Sequence, residues 1–178
     1  VIAYISVGSN IEPERNIPEA LEELKRRVTI KRVSTFYRTA PVGKKDRPFF
    51  LNGVFEIETS LSARALKYDV LRPIETALGR VRTSDKYAPR TIDLDILLYA
   101  DLVVDEPGLR IPDPDIRVRP FLAVPLLELA PDLALPDTAE PLASLESARG
   151  PAGMNPHPAL TSRLRTRIGK APFPRKKR

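Results

Sequence analysis

Cysteine is absent from the 178 residues. Neither a disulfide framework nor thiolate chemistry is therefore available, which fits a reducing cytoplasm. Histidine is almost as scarce: the single one, His157, stands between two prolines near the end. A histidine base is thereby disfavoured, and Ser-His-Asp and Cys-His centres are excluded. No Gly-x-x-x-x-Gly-Lys-Ser/Thr run occurs, so the chain is not a P-loop enzyme. Long apolar runs are missing and the start has no signal-peptide pattern, so neither a membrane span nor export is indicated and a cytoplasmic location is expected. Chemistry that needs little covalent help, such as phosphoryl-type transfer by positioning and charge stabilisation, survives these exclusions.

What is present is the material of one folded domain. With 42% hydrophobic and 29% charged residues the chain can bury a core, and its length is that of a single domain. The formal charge of +6 favours an anionic partner. Much of that excess lies in Arg163, Arg165, Arg167, Lys170, Arg175, Lys176, Lys177 and Arg178, and the rest of the chain is close to neutral. The charge therefore lends little support to nucleic-acid binding by the folded part.

In chain order, the residues from Val1 to Val7 suit a first strand, and Gly8-Ser9-Asn10 turns the chain out of it. Asn16 followed by Glu19 resembles a capping box, and Ile17, Leu21, Leu24 and Val28 recur at helical spacing, predicting a helix from Ile17 to about Arg27. A strand is expected from Thr29 to Arg38, then a long polar loop through Pro48, then a strand from Phe49 to Glu58. Ser62 can cap a second helix with Leu66, Val70, Ile74 and Leu78 on one side and Gly79 past its end, kinked or broken at Pro73. With a strand from Thr91 to Tyr99 the order is βαββαβ. The fold class expected is α+β, a ferredoxin-like sandwich with both helices on one face of an antiparallel sheet and an open face opposite. Asp101 to Asp115 reads as turns, and Arg117 to Leu129 as a short helix or packed turn. A boundary is placed at 138, and residues 139–178 are expected to be a partly ordered extension, with short helices near Leu142 to Arg149 and Leu160 to Ile168.

The strand Arg90-Thr91-Ile92-Asp93-Leu94-Asp95-Ile96-Leu97-Leu98-Tyr99 carries the chemistry. Its two-residue period puts Thr91, Asp93, Asp95, Leu97 and Tyr99 on one face and Ile92, Leu94, Ile96 and Leu98 on the other. Two residues of strand advance roughly 6.6 Å, so the two carboxylates stand side by side and can share an ion or a close pair of ions. Carboxylate oxygens suit Mg²⁺, which is commonly held by one or two carboxylates together with substrate phosphates. A solvent-facing strand with acidic outward positions is the competing reading, although Asp is depleted in strands and like charges there repel. Arg80, Arg82 and Arg90 gather upstream, with Arg117 and Arg119 later, and each offers a planar fork suited to phosphate oxygens. Carboxylates, metal and arginines together describe a polyphosphate site.

The run Lys86-Tyr87-Ala88-Pro89-Arg90-Thr91-Ile92-Asp93-Leu94-Asp95-Ile96-Leu97 resembles the signature of the 6-hydroxymethyl-7,8-dihydropterin pyrophosphokinase family of the folate pathway. Gly8-Ser9-Asn10, the run from Phe36 to Gly43, Phe50-Leu51-Asn52, Gly79-Arg80-Val81-Arg82, Pro125-Leu126 and Ala130-Pro131-Asp132 match in order, so the resemblance spans about Ile2 to Pro136. It implies transfer of the β,γ-pyrophosphate of ATP to the pterin alcohol, with AMP leaving, and two Mg²⁺ on Asp93 and Asp95. It implies catalytic roles for Arg80, Arg90, Asp93 and Asp95. ATP would be held by Arg72, Glu75, Arg82, Tyr87, Ile96, Arg110 and Arg119. The pterin would lie near Thr39, Ala40 and Val42, bonded to Asn52 and sandwiched between Phe50 and Phe121, with the loops Gly43 to Pro48 and Thr83 to Pro89 closing over ATP. Partners would be these small molecules, without nucleic acid or membrane, and the enzyme a monomer.

The sequence departs from the family pattern in three places. Phe50 replaces a common tyrosine, Asp113 stands where a histidine is usual, and Arg72 where an amide is usual, beside Glu75. Two other classes share the gross features: a different Mg²⁺-dependent nucleotidyl or phosphoryl transferase, and a ferredoxin-like RNA-binding module aided by the basic tail.

Overall fold

The computed structural model describes residues 1–40, 48–85, 88–151 and 153–169. Val42, Tyr87, most of the loop from Gly43 to Pro48 and part of that from Thr83 to Pro89 lie outside the described residues, as does the basic finish from Lys170.

Strand β1 (Ile2–Ser9) lies inside the sheet because alternate residues serve opposite faces. Ala3, Ile5 and Val7 are buried on one side, while Ser6 and Gly8 line a cavity on the other. β1 pairs antiparallel with β4 (Phe50–Glu58), Ile5 opposite Phe55, and with β5 (Asp93–Tyr99), Ser6 opposite Asp95. β2 (Thr29–Val33) and β3 (Tyr37–Thr39) follow one another along the far side of β4, β8 (Met154–Pro156) pairs with β3, and the strand order is β5-β1-β4-β3-β8. A separate hairpin, β6 (Val104–Glu106) and β7 (Leu109–Ile111), occupies the stretch expected to be turns alone, with Gly108 at φ 81° in its turn. The chain is therefore α+β, with an antiparallel sheet.

The first helix, α1 (Pro13–Leu24), begins and ends earlier than expected. Proline at the first helical position needs no N–H partner, so Pro13 starts the helix. Asn16 falls inside it and donates from Nδ2 to the Ile11 carbonyl at 2.6 Å, instead of capping. Pro18 cannot bond to the Glu14 carbonyl one turn back, and Arg163 Nη1 fills that position at 2.9 Å. The single strand expected from Thr29 to Arg38 is two, broken at Ser34 to Phe36. There the Ser34 hydroxyl accepts from Val54 N–H at 2.8 Å, and the Phe36 ring turns into the core beneath Gly53, where a Cβ would come within 2.6 Å of the ring.

Helix α2 (63–77) opens as predicted, with Ser62 Oγ accepting from Ala65 N–H at 3.1 Å, and Gly79 follows it at φ 80°. The expected break near Pro73 takes a definite form. Residues Leu66–Leu71 are π-helical, and the Arg72 N–H bonds back to the Lys67 carbonyl before Arg72–Ala77 resumes as α-helix. A π turn carries one residue more than an α turn, a common accommodation in an interrupted helix.

Two corrections concern β5. The pairing with β1 slips between Tyr4 and Ile5, leaving Leu97 without an opposite residue. This bulge breaks the strict alternation read from the sequence. Leu97 stays on the acidic side, Leu98 joins it in the core there, and Tyr99 turns towards the helices, where its hydroxyl donates to the Leu61 carbonyl.

The second correction is that the face opposite α1 and α2 is not open along its length. α3 (Pro120–Leu129) lies across it, and Val54, Leu97, Leu98, Ile116, Leu122 and Leu126 form a second core there. The extension expected to be partly ordered has its short helical turns near the two places predicted, and through them it completes both layers. Leu142, Leu145 and Ala148, from two 3₁₀ turns, enter the second core. Leu160 and Leu164 of α4 (Pro158–Arg165) enter the first. Residues on both sides of position 138 thus share both cores.

Candidate active site

Where α3 stops covering the sheet, a cavity of about 280 Å³ opens over the middle strands. Its walls bring together Thr39, Ala40, Phe50, Asn52, Arg90, Asp93, Asp95, Arg119 and Phe121, all predicted from sequence, with Ser6, Gly8, Asp113 and Asp115.

The heterocycle end is built on β3 and β4. Asn52 Nδ2 donates to Thr39 Oγ1 at 2.7 Å, which fixes the orientation of the amide. A Cβ on Gly8 would come 2.6 Å from Asn52 Oδ1, so glycine there allows the amide to lie flat against β1. The rest of the Gly8-Ser9-Asn10 turn holds the arginine loop. Ser9 Oγ donates to the Thr91 carbonyl at 2.6 Å, and Asn10 Oδ1 accepts the Arg90 N–H at 2.7 Å. The tripeptide was legible as a turn; its grip on residues 80 positions away was not.

The acidic end is built on β5. Asp93 is ion-paired with both Arg80 and Arg90. Asp95 pairs with Lys67 Nζ at 3.2 Å. Recession into the cavity and the neighbouring Asp93 push the Asp95 carboxyl above its ordinary range, although 43% of its side chain is still exposed. Lys67 was not among the predicted residues. The signal that could have found it is the extra helical residue before Pro73, but the turn that absorbs that residue was not foreseeable.

The residues expected to hold a nucleotide divide into several groups. Arg119 lines the cavity. Arg82 pairs with Glu75 at the surface. The Glu75 side chain is 2% exposed and outside the cavity wall; it accepts Leu94 N–H at 2.9 Å and pairs with Arg80 and Arg82. Burial is the main cause that pushes its carboxyl above the ordinary range. Ile96 is 3% exposed in the core under the helices. Arg110 is on the outer hairpin, bonded to Asp105 at 2.7 Å. Arg72 stacks over the Tyr68 ring at 4.4 Å, with its Nε buried and unbonded among the described residues, rather than joining the Glu75 cluster. Glu75→Ala removes the partner of a buried N–H and of the largely buried Arg80. It is expected to lower unfolding free energy by about 3 kcal/mol in urea titration.

Asp113 sits on the cavity wall, its Oδ1 accepting from Asp115 N–H at 2.9 Å. Burial chiefly, with a contribution from Asp95, raises its carboxyl to about 6, although the Asp115 bond acts the other way. A raised value in the fold means that ionisation costs stability as pH climbs from the unfolded value near 4 to about 6. Asn keeps the acceptor and loses the charge. Asp113→Asn should therefore melt about 3 to 6 °C higher than the parent at pH 7.5 and at the same temperature near pH 3.5, as read by thermal scans.

Among the described residues no group of three or more His, Cys, Asp or Glu side chains is arranged to hold a metal by itself. Nor is any helix there long and apolar enough to cross a membrane.

Residues 4–131 match the family model of 7,8-dihydro-6-hydroxymethylpterin-pyrophosphokinase. The chain is 42% identical over 137 residues to the 2-amino-4-hydroxy-6-hydroxymethyldihydropteridine pyrophosphokinase of Pseudomonas aeruginosa, covering 75% of this chain and 83% of that one. It is 40% identical over 141 residues to the protein of the same name from Haemophilus influenzae, covering 78% and 87%. It is also 44% identical over 144 residues to the folic acid synthesis protein fol1 of Schizosaccharomyces pombe, covering 79% of this chain but 19% of that longer protein. The chain belongs to the 7,8-dihydro-6-hydroxymethylpterin-pyrophosphokinase family.

Proposed function

We propose that this chain transfers the β,γ-pyrophosphate of ATP to the hydroxymethyl group of 6-hydroxymethyl-7,8-dihydropterin, releasing AMP, in folate biosynthesis. The single observation that carries the reading is the shape of the cavity. An aromatic and amide pocket at Thr39, Phe50, Asn52 and Phe121 runs directly into a carboxylate and arginine pocket at Arg90, Asp93 and Asp95. A flat heterocycle at the first end would present a short side arm to a polyphosphate at the second.

The donor set fits Mg²⁺. Asp93 and Asp95 offer hard oxygen ligands on one face of one strand, and Asp95 carries charge that its surroundings do not fully offset. The two aspartates would hold the metal, and the phosphates of ATP would complete its coordination. When bound, Mg²⁺ supplies charge neutralisation at the phosphates and a lower pKa for an attacking hydroxyl. The protein's own residues do the rest. Asn52, fixed by Thr39, reads the polar edge of the pterin, and Phe50 and Phe121 flank its faces, a role for which loss of the tyrosine hydroxyl at position 50 costs nothing. Arg90 and Arg119 receive the phosphates, and Arg80 positions Asp93. Glu75 acts through Arg80 and Arg82 rather than on the nucleotide itself, and Arg72 and Arg110 are left to the outer edge of the nucleotide.

The strand order β5-β1-β4, with β2 and β3 beyond, and helices following β1 and β4, supports a ferredoxin-like core. We read the enzyme as a monomer acting on small molecules in the cytoplasm. The test is a turnover assay with ATP, Mg²⁺ and the pterin alcohol that follows both products. AMP formed one for one with the pterin diphosphate is expected. ADP or free pyrophosphate would instead point to another Mg²⁺-dependent transferase.

A further inference from the structure

Among the described residues, Lys67 is the one cation touching Asp95 that neither the sequence motifs nor the proposed mechanism uses. Its place is set by the π-helical turn Leu66–Leu71, which keeps Leu66, Val70 and Leu71 in the core. β5 is the terminal strand of the sheet, and Lys67 reaches Asp95 across its edge. Only 17% of the lysine side chain is exposed, and its ammonium lies 3.2 Å from Asp95 Oδ1. Its charge is also felt by Asp113 on the same cavity wall.

We propose that Lys67 is a built-in counter-cation that occupies the position of the divalent metal at Asp95 until nucleotide arrives, and so makes metal binding depend on nucleotide. This rests on the reading of Asp95 as a metal ligand. An ammonium and a divalent ion cannot share one carboxylate oxygen without strong repulsion at contact distance. In the nucleotide-free protein, metal must displace Lys67 and leave a mostly buried ammonium beside a second cation. When a triphosphate enters, its oxygens offer the flexible lysine another anionic partner, and its four-carbon stem and rotatable donors allow it to re-aim. The metal then binds at a vacated oxygen, and the two ligands reinforce one another. Arrival of metal and nucleotide together would be favoured over a metal waiting alone.

The test is Mn²⁺ binding by electron paramagnetic resonance, with and without a non-hydrolysable ATP analogue. In nucleotide-free Lys67→Met the Mn²⁺ dissociation constant should fall about tenfold, and the gain on adding the analogue should shrink by a similar factor. Lys67→Arg should behave as the parent, and Lys67→Met in an Asp95→Asn background should gain nothing. Thermal melts confirm that each variant is folded, and the charge-keeping arginine variant carries the comparison if methionine is not tolerated: tightening of Mn²⁺ binding there would overturn the proposal. Equal or weaker Mn²⁺ binding by nucleotide-free Lys67→Met, or none by either form, would overturn the role of Lys67. Absence of Mn²⁺ binding even with the analogue would overturn the metal reading as well.

Discussion

Asp95→Asn should lower kcat by at least about 10³-fold, roughly 4 kcal/mol of transition-state stabilisation, while the melting temperature stays within about 3 °C of the parent. Both parts follow from the same surroundings. The Asp95 carboxyl is recessed in the cavity and repelled by Asp93, so the fold gains little from its charge. Asparagine keeps the shape, relieves the repulsion and costs only the contact with Lys67. What it cannot do is hold Mg²⁺ against the phosphates, since one neutral oxygen replaces a charged ligand. Asp93→Asn is the instructive contrast. That carboxylate binds both Arg80 and Arg90, and Arg80 is 11% exposed, so its loss should cost stability as well as turnover. Product formation and thermal melts on the two variants separate the roles; turnover by Asp95→Asn near the parental rate would remove Asp95 from the chemistry.

The sequence read best where one element carried its own signal. Period-two alternation placed Asp93 and Asp95 on one face of β5. Ser62 and Gly79 marked the two ends of α2, and Pro73 announced a break within it. The motifs grouped Thr39, Phe50, Asn52 and Phe121 before any contact between them was visible. What escaped was set by partners distant in the chain. The bulge at Leu97 depends on how β1 lies beside β5, and nothing within the local pattern of alternating residues requires it. The resemblance put Glu75 on the nucleotide, yet it is buried away from the cavity because Leu94 N–H and two arginines converge on it. Lys67 escaped because a proline predicts a disturbance without predicting which side chain it redirects. After position 138 the leucine stretches marked the short helical turns that form, whereas the prolines and basic residues around them hid how deeply those turns enter the two cores.

Ending the chain at residue 138 should therefore abolish cooperative folding. The cut removes Leu142, Leu145 and Ala148 from the core beneath α3, and Leu160 and Leu164 from the core beneath α1, each 7% exposed or less. At about 1.5 to 3 kcal/mol for each large buried side chain, the four leucines alone contribute about 6 to 12 kcal/mol, the scale of a whole domain's stability. The loss extends to the backbone. β8 covers the outer edge of β3, and without it Tyr37, Arg38 and Thr39 would present an unpaired edge beside the cavity. Two buried links would also go: Phe36 N–H bonds to Thr161 Oγ1 at 2.9 Å, and Ser147 Oγ donates to the Ile116 carbonyl at 2.7 Å. Ending the chain at residue 169 removes none of these contacts and should keep a sharp, cooperative urea transition. If residues 1–138 unfold in a single transition with a midpoint near that of the longer chain, these leucines merely cover a core that is sufficient without them. A shallow, non-cooperative curve for 1–138 beside a sharp one for 1–169 would instead place residues 142–164 among the structural supports of Thr39, and through it of Asn52.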